Sequence, residues 1–146
     1  MTILRGLARP MIASIFVIQG FKTMRAPDRV VKQAEPVVRS LAEYLDFVPD
    51  DTEQAVRVNA AIQLAGGTLL ALGWLPRLSA LAIAVSLVPT TAAGHRFWEY
   101  DDPQERSQQL IQFLKNLSML GGLLMAADSG DRKGPHVLRP ARRRPG

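Results

Sequence analysis

Apolar residues in this chain fall into four long blocks, separated by charged or aromatic connections. The first, "GLARPMIASIFVIQGF", runs from about Gly6 to Phe21, with Arg5 and Arg9 at its head and Lys22 and Arg25 just past its end. The second follows Asp50-Asp51-Thr52-Glu53, a helix-start pattern of the capping-box kind, and continues to about Gly73. The third, Leu78 to Gly94, is continuously apolar until Pro89-Thr90-Thr91. The fourth, "LIQFLKNLSMLGGLLMAA", covers Leu110 to Ala127 behind Asp102-Pro103-Gln104-Glu105, which reads as N-cap, first helical proline and capping-box glutamate. Helices over about 6–22, 54–73, 77–94 and 105–127 follow from this pattern. The last would be about 37 Å long at the standard rise, enough to cross a hydrocarbon core with a polar turn protruding. Pro89 should kink the third helix and free a carbonyl that Thr90 or Thr91 can help satisfy.

The connection between the first two blocks is too long for a plain loop. Val30, Ala34, Val37, Leu41, Leu45 and Val48 recur at intervals of three and four with charges between them. That spacing predicts an amphipathic helix within 27–49, broken or kinked near Pro36. Its functional reading is an interfacial lid or docking surface, and its plainer reading is a helix that packs on the bundle or on headgroups. The remaining connections are short. "GWLPR" places Trp74 at a membrane interface and Arg77 in water, and "HRFWEYDDP" supplies Phe97, Trp98 and Tyr100 as an interface belt.

The expected fold is therefore all-α: an integral membrane four-helix bundle over residues 1–130, followed by a basic, flexible cytoplasmic tail over 131–146. A soluble bundle is the alternative, because each block carries a polar interruption. Four such blocks would leave a soluble chain of 146 residues with too few polar faces. The basic start could open a signal peptide, but no small-residue cleavage site follows, so an uncleaved span is expected. Arg5, Arg9, Arg77 and the tail's Arg132, Lys133, Arg139, Arg142, Arg143 and Arg144 fall on one side, which puts both termini in the cytoplasm.

The net charge of +5 and a pI near 10.2 invite a nucleic-acid reading. Because the basic excess sits in the tail, after an apolar block, anionic lipid headgroups contacting Arg139, Arg142, Arg143 and Arg144 explain it better, and no nucleic-acid partner is expected. The chain has no cysteine, which removes disulfides, dithiol chemistry, iron–sulfur ligation and most structural zinc schemes. His95 stands alone near a span and cannot make a bis-histidine haem site; no metal site is expected.

Chemistry at membrane depth narrows to Gln19, Asn59, Gln63, Thr90, Thr91, Gln112, Lys115 and Asn116. Gln108, Gln112, Lys115, Asn116 and Met119 are close enough in helical spacing to be grouped on one face. No Asp or Glu lies inside a span to pair with Lys115, whose burial in lipid would cost several kcal/mol. Two readings follow. In one, Gln63, His95, Gln112, Lys115 and Asn116 line a pocket between the last three long helices for a quinone-like head group or a lipid. In the other, Lys115 snorkels outward and the amides bind helices together. Gly20, Gly66, Gly67, Gly121 and Gly122 mark close helix packing. No intrinsic cofactor and no self-sufficient catalytic set is expected.

"LARPMIASIFVIQG", "GGTLLALGWLPRLSAL", "HRFW" and above all "FLKNLSMLGGLLMAA" resemble the DoxX family of small bacterial four-helix membrane proteins, in its actinobacterial form. The resemblance covers about residues 5–128 and excludes the tail. Phe113, Lys115, Asn116, Gly121 and Gly122 match the family's final-helix positions. His95, Phe97 and Trp98 match its aromatic motif, and Gly20 matches the glycine ending its first helix. The resemblance implies an inner-membrane subunit associated with redox systems, oxidative stress or sulfur metabolism. It also suggests superoxide dismutase and a thiosulfate sulfurtransferase as partners, or a place in a larger membrane complex. A small-molecule or lipid-binding transport protein is the competing expectation.

Overall fold

The computed structural model describes residues 3–128, apart from the side chain of Arg5. The described chain is all-helical: α1 (Ile3–Arg25), α2 (Asp28–Ala42), α3 (Thr52–Leu72), α4 (Pro76–Gly94) and α5 (Pro103–Asp128), with a 3-10 turn at Phe97–Glu99. By length and composition, three helical stretches among the described residues can cross a membrane: Thr52–Leu72, Pro76–Glu99 and Pro103–Asp128. α1 is long enough, but Arg9, Gln19 and Lys22 dilute its apolar run.

The helix ends follow local chemistry. Asp51 caps α3, its carboxylate accepting from the N–H groups of Glu53 (2.8 Å) and Gln54 (3.3 Å). Asp102 does the same for α5 by accepting from Glu105 N–H at 2.9 Å, with Pro103 at the first helical position. α3 stops at Gly73, which adopts φ 73°. The Gly73 N–H donates to Leu70 O and the Trp74 N–H to Leu69 O, the paired bonds of a Schellman cap. Pro76 then opens α4. At the opposite end, Arg57 on α3 donates to the Met24 carbonyl at 3.3 Å while paired with Glu53, so a cation meets the carbonyl end of α1.

One core gathers Ala13 and Phe16 of α1, Leu70 of α3, Ala80, Ile83, Ala84 and Leu87 of α4, and Leu123 and Ala127 of α5. Successive long helices are antiparallel, so the start of α1 and the end of α5 lie at one end of the molecule. The tightest contact is α1 on α3. A Cβ added to Gly20 would stand 2.8 Å from both Ala60 O and Leu64 N, and one added to Gly67 would stand 2.9 Å from Val17 Cγ2 and 3.2 Å from Val17 N. Backbone meets backbone there, which only glycine permits. The outer face of α1 is apolar too: Met11, Ile15, Ile18 and Phe21 are exposed. A helix apolar on both faces suits a hydrocarbon surround better than water.

α2 packs on α3 and α4. Val30, Ala34, Val37 and Leu41 are half-buried and Val38 is buried, while Arg29, Lys32, Glu35 and Arg39 are exposed. Neither a break at Pro36 nor the full expected length is found here. Pro36 does not break the helix, which runs through it, with the Ser40 hydroxyl donating to Pro36 O at 3.0 Å. The helix also ends at Ala42, leaving Leu45 and Val48 in the turns that follow, and Pro49 disfavours helical geometry at Val48.

Candidate functional site

The polar groups of the long helices converge on two neighbouring threonines. Thr90 Oγ1 accepts from Asn59 Nδ2 (2.9 Å) and from Gln63 Nε2 (3.0 Å), tying α3 to α4. Thr91 Oγ1 accepts from Asn116 Nδ2 at 2.9 Å, tying α5 to α4. Both hydroxyls donate backwards along their own helix, Thr90 to Ser86 O and Thr91 to Leu87 O, each at 2.8 Å. The carbonyl that Pro89 deprives of a helical donor is that of Val85, one turn before the proline. The threonines thus serve the next two carbonyls, not the freed one, and Val85 faces outward. Among the described residues no buried side-chain nitrogen or oxygen lacks a partner.

A second polar contact lies nearer the end of α4, where His95 Nδ1 donates to Gln109 Oε1 on α5 at 3.0 Å. Beside it, Phe97, Trp98 and Phe113 form an edge-to-face cluster with ring centroids 5.1, 5.5 and 6.5 Å apart, which seats the 3-10 turn on α5. Between this cluster and the Thr91–Asn116 pair a cleft of about 210 Å³ opens between α4 and α5. Phe113 and Trp98 wall one end, Leu87 and Leu120 the other, and Val88 and Leu117 stand exposed at its mouth. Its polar groups are Thr91 and Asn116. The amide of Asn116 spends one N–H on Thr91 and retains its carbonyl oxygen and second N–H for hydrogen bonding. Among the described residues no three His, Asp or Glu side chains gather around one metal position.

A family model, DoxX, matches residues 4–96, from the first turn of α1 to the residue after His95. The chain belongs to the DoxX family. No curated protein and no solved structure matches it. The matched stretch of this DoxX chain holds the α1–α3 approaches at Gly20 and Gly67, the Asn59–Thr90–Gln63 bonds and His95. It stops before α5, so the motif "FLKNLSMLGG" lies outside it.

The five residues singled out from the sequence of this DoxX chain do not share one chamber. Asn116 lines the α4–α5 cleft. Gln63 is buried on α3, bonded to Thr90. His95 is bonded to Gln109. Gln112 and Lys115 are exposed on α5 and do not line the cleft. Of the glycines, Gly66 meets Ile83 of α4 and Gly122 meets Ile12 of α1, whereas a Cβ at Gly121 would touch nothing within 4 Å. Arg139, Arg142, Arg143 and Arg144 lie outside the described residues. Gln109 was not singled out from the sequence, and Phe113 was singled out only through the family resemblance. Gln109 and Phe113 belong to a series, Gln109-Phe113-Asn116-Leu120-Leu123-Ala127, spaced alternately by four and three. That spacing is the seam α5 turns inward, and it was available as a signal.

Proposed function

We propose that this chain is a four-span subunit of the bacterial plasma membrane. In this reading it holds the head group of an apolar, quinone-like carrier in the α4–α5 cleft and serves redox-associated partners without itself performing the chemistry. The observation that carries the proposal is the cleft: the rings of Phe113 and Trp98 close one end, and Asn116 supplies the one side-chain amide in its lining. About 210 Å³ is below the roughly 300–1,000 Å³ of pockets that enclose a whole drug-sized molecule. The volume suits one substituted ring, with its tail leaving past Val88 and Leu117 into lipid. Asn116 can donate to a quinone carbonyl or accept from a quinol hydroxyl.

The spans would be α3, α4 and α5 together with α1, whose exposed apolar stripe favours lipid contact. The charged face of α2 would lie at the headgroups, and the end carrying Arg9 and Arg77 would face the cytoplasm. A second reading, a phospholipid acyl chain in the same cleft, draws on its largely hydrocarbon lining.

The test uses tryptophan emission. Trp98 is at the cleft and the chain has two tryptophans, so Trp74→Phe leaves Trp98 as the sole reporter. A short-tailed quinone titrated into this protein should quench Trp98 along a saturable curve, and Asn116→Leu should shift the midpoint upward about tenfold. Quenching that rises linearly, or is unchanged by Asn116→Leu, overturns the quinone reading; saturable displacement of the quinone by fatty acid alone would favour the acyl chain.

A further inference from the structure

Gln108, Lys115 and Gly122 are spaced by seven residues and share one face of α5, with Gln104 and Gln112 alongside. At the lower end this face is covered, because Ile12 of α1 packs against Gly122. Above it α1 meets α5 only sparsely, and Gln104, Gln108, Gln112 and Lys115 are all exposed. Lys115 makes no ion pair or hydrogen bond among the described residues.

We propose that Lys115, with Gln108 and Gln112 above it, forms a site for the phosphate of an anionic lipid headgroup, drawn down the flank of α5 beside α1. The proposal rests on the reading of α5 as a membrane span and is separate from the cleft. Depth selects the occupant. The apolar part of α5 begins at Leu110, so the Lys115 backbone lies about 7.5 Å inside the hydrocarbon edge. Helical side chains lean toward the N-terminus, and a lysine stem of about 6 Å then lifts the ammonium to headgroup level. The glutamines line the path above with amide donors that suit phosphate oxygens. Within the hydrocarbon a second copy of α5 offers no anion, because no acidic residue lies between Glu105 and Asp128.

The experiment is native mass spectrometry of the full chain in vesicle-derived lipid containing equal phosphatidylglycerol and phosphatidylethanolamine, at high salt to weaken contacts made by exposed basic segments. One phosphatidylglycerol should persist on the wild type and on Lys115→Arg. Its retention should fall at least tenfold in Lys115→Met and by less in Gln112→Leu, with thermal stability unchanged. Excess inorganic phosphate should not displace it, which separates a lipid site from a free-anion site. Equal retention by Lys115→Met, no preference over phosphatidylethanolamine, or a co-purifying protein with a membrane carboxylate in its place overturns the proposal. Since the chain has no cysteine, Leu114→Cys tests the underlying span. Rapid labelling by a membrane-impermeant maleimide defeats the span reading, whereas a shielded thiol with no lipid preference defeats the lipid site alone.

Discussion

Replacing Gly20 by alanine adds one methyl group where α1 and α3 already touch backbone to backbone. The new Cβ would stand 2.8 Å from Ala60 O and from Leu64 N, about 0.6 Å short of the 3.4 Å at which ordinary contact begins. Neither neighbour is a side chain that can rotate aside. The helices must separate or shear, and the strain passes to Gly67, where Val17 N and Ala13 O leave 3.2 and 3.3 Å. Overpacking of this kind costs about 1–3 kcal/mol, or roughly five- to 150-fold in the unfolding equilibrium. The assay is unfolding of the full chain in mixed micelles by stepwise addition of sodium dodecyl sulfate, followed by circular dichroism. Gly20→Ala should unfold at a clearly lower fraction of the harsh detergent. Gly6→Ala is the matched control, because its Cβ would meet nothing within 4 Å; it should be neutral or slightly stabilising, since alanine favours the helix. Equal stability of Gly20→Ala and Gly6→Ala would refute the packing argument.

Two further substitutions probe the polar network and the α3–α4 turn. Thr90→Val removes the acceptor shared by Asn59 and Gln63 while preserving shape, and at about 0.6 kcal/mol for each bond in a membrane setting it should cost about 1 kcal/mol in the same unfolding assay. Gly73→Ala forces a side chain into φ 73° and should cost about 1–2 kcal/mol with helix content nearly unchanged.

Much of the helical frame was legible because it depends on local chemistry. Asp102 and Pro103 announce the start of α5 by residue type alone, and Asp51 does so for α3. Gly20 in an apolar block marks a close approach whatever helix makes it. The prolines were less readable. Pro36 removes a donor that a partly exposed helix can forgo, so α2 continues where a break was expected. The candidate site was the least legible part. Adjacent residues on a helix are about 100° apart, so Lys115 and Asn116, neighbours in the sequence, end on different faces. Leu110, Ile111, Leu114, Leu117 and Leu124 keep apolar residues on the exposed side of α5 as well, so composition does not say which face turns inward. Only the Gln109–Phe113–Asn116 seam carries that information, and it emerges when the two candidate faces are compared.

The occupant of the α4–α5 cleft in the native membrane is the deciding observation. The direct measurement is extraction of the full chain in polymer discs, without detergent, followed by mass spectrometry of the small molecules that remain bound. The wild type should carry close to one quinone per chain, with Lys115→Met unchanged and Asn116→Leu depleted about tenfold at equal thermal stability. A folded wild type that carries no quinone, or one whose content is indifferent to Asn116→Leu, would contradict the account.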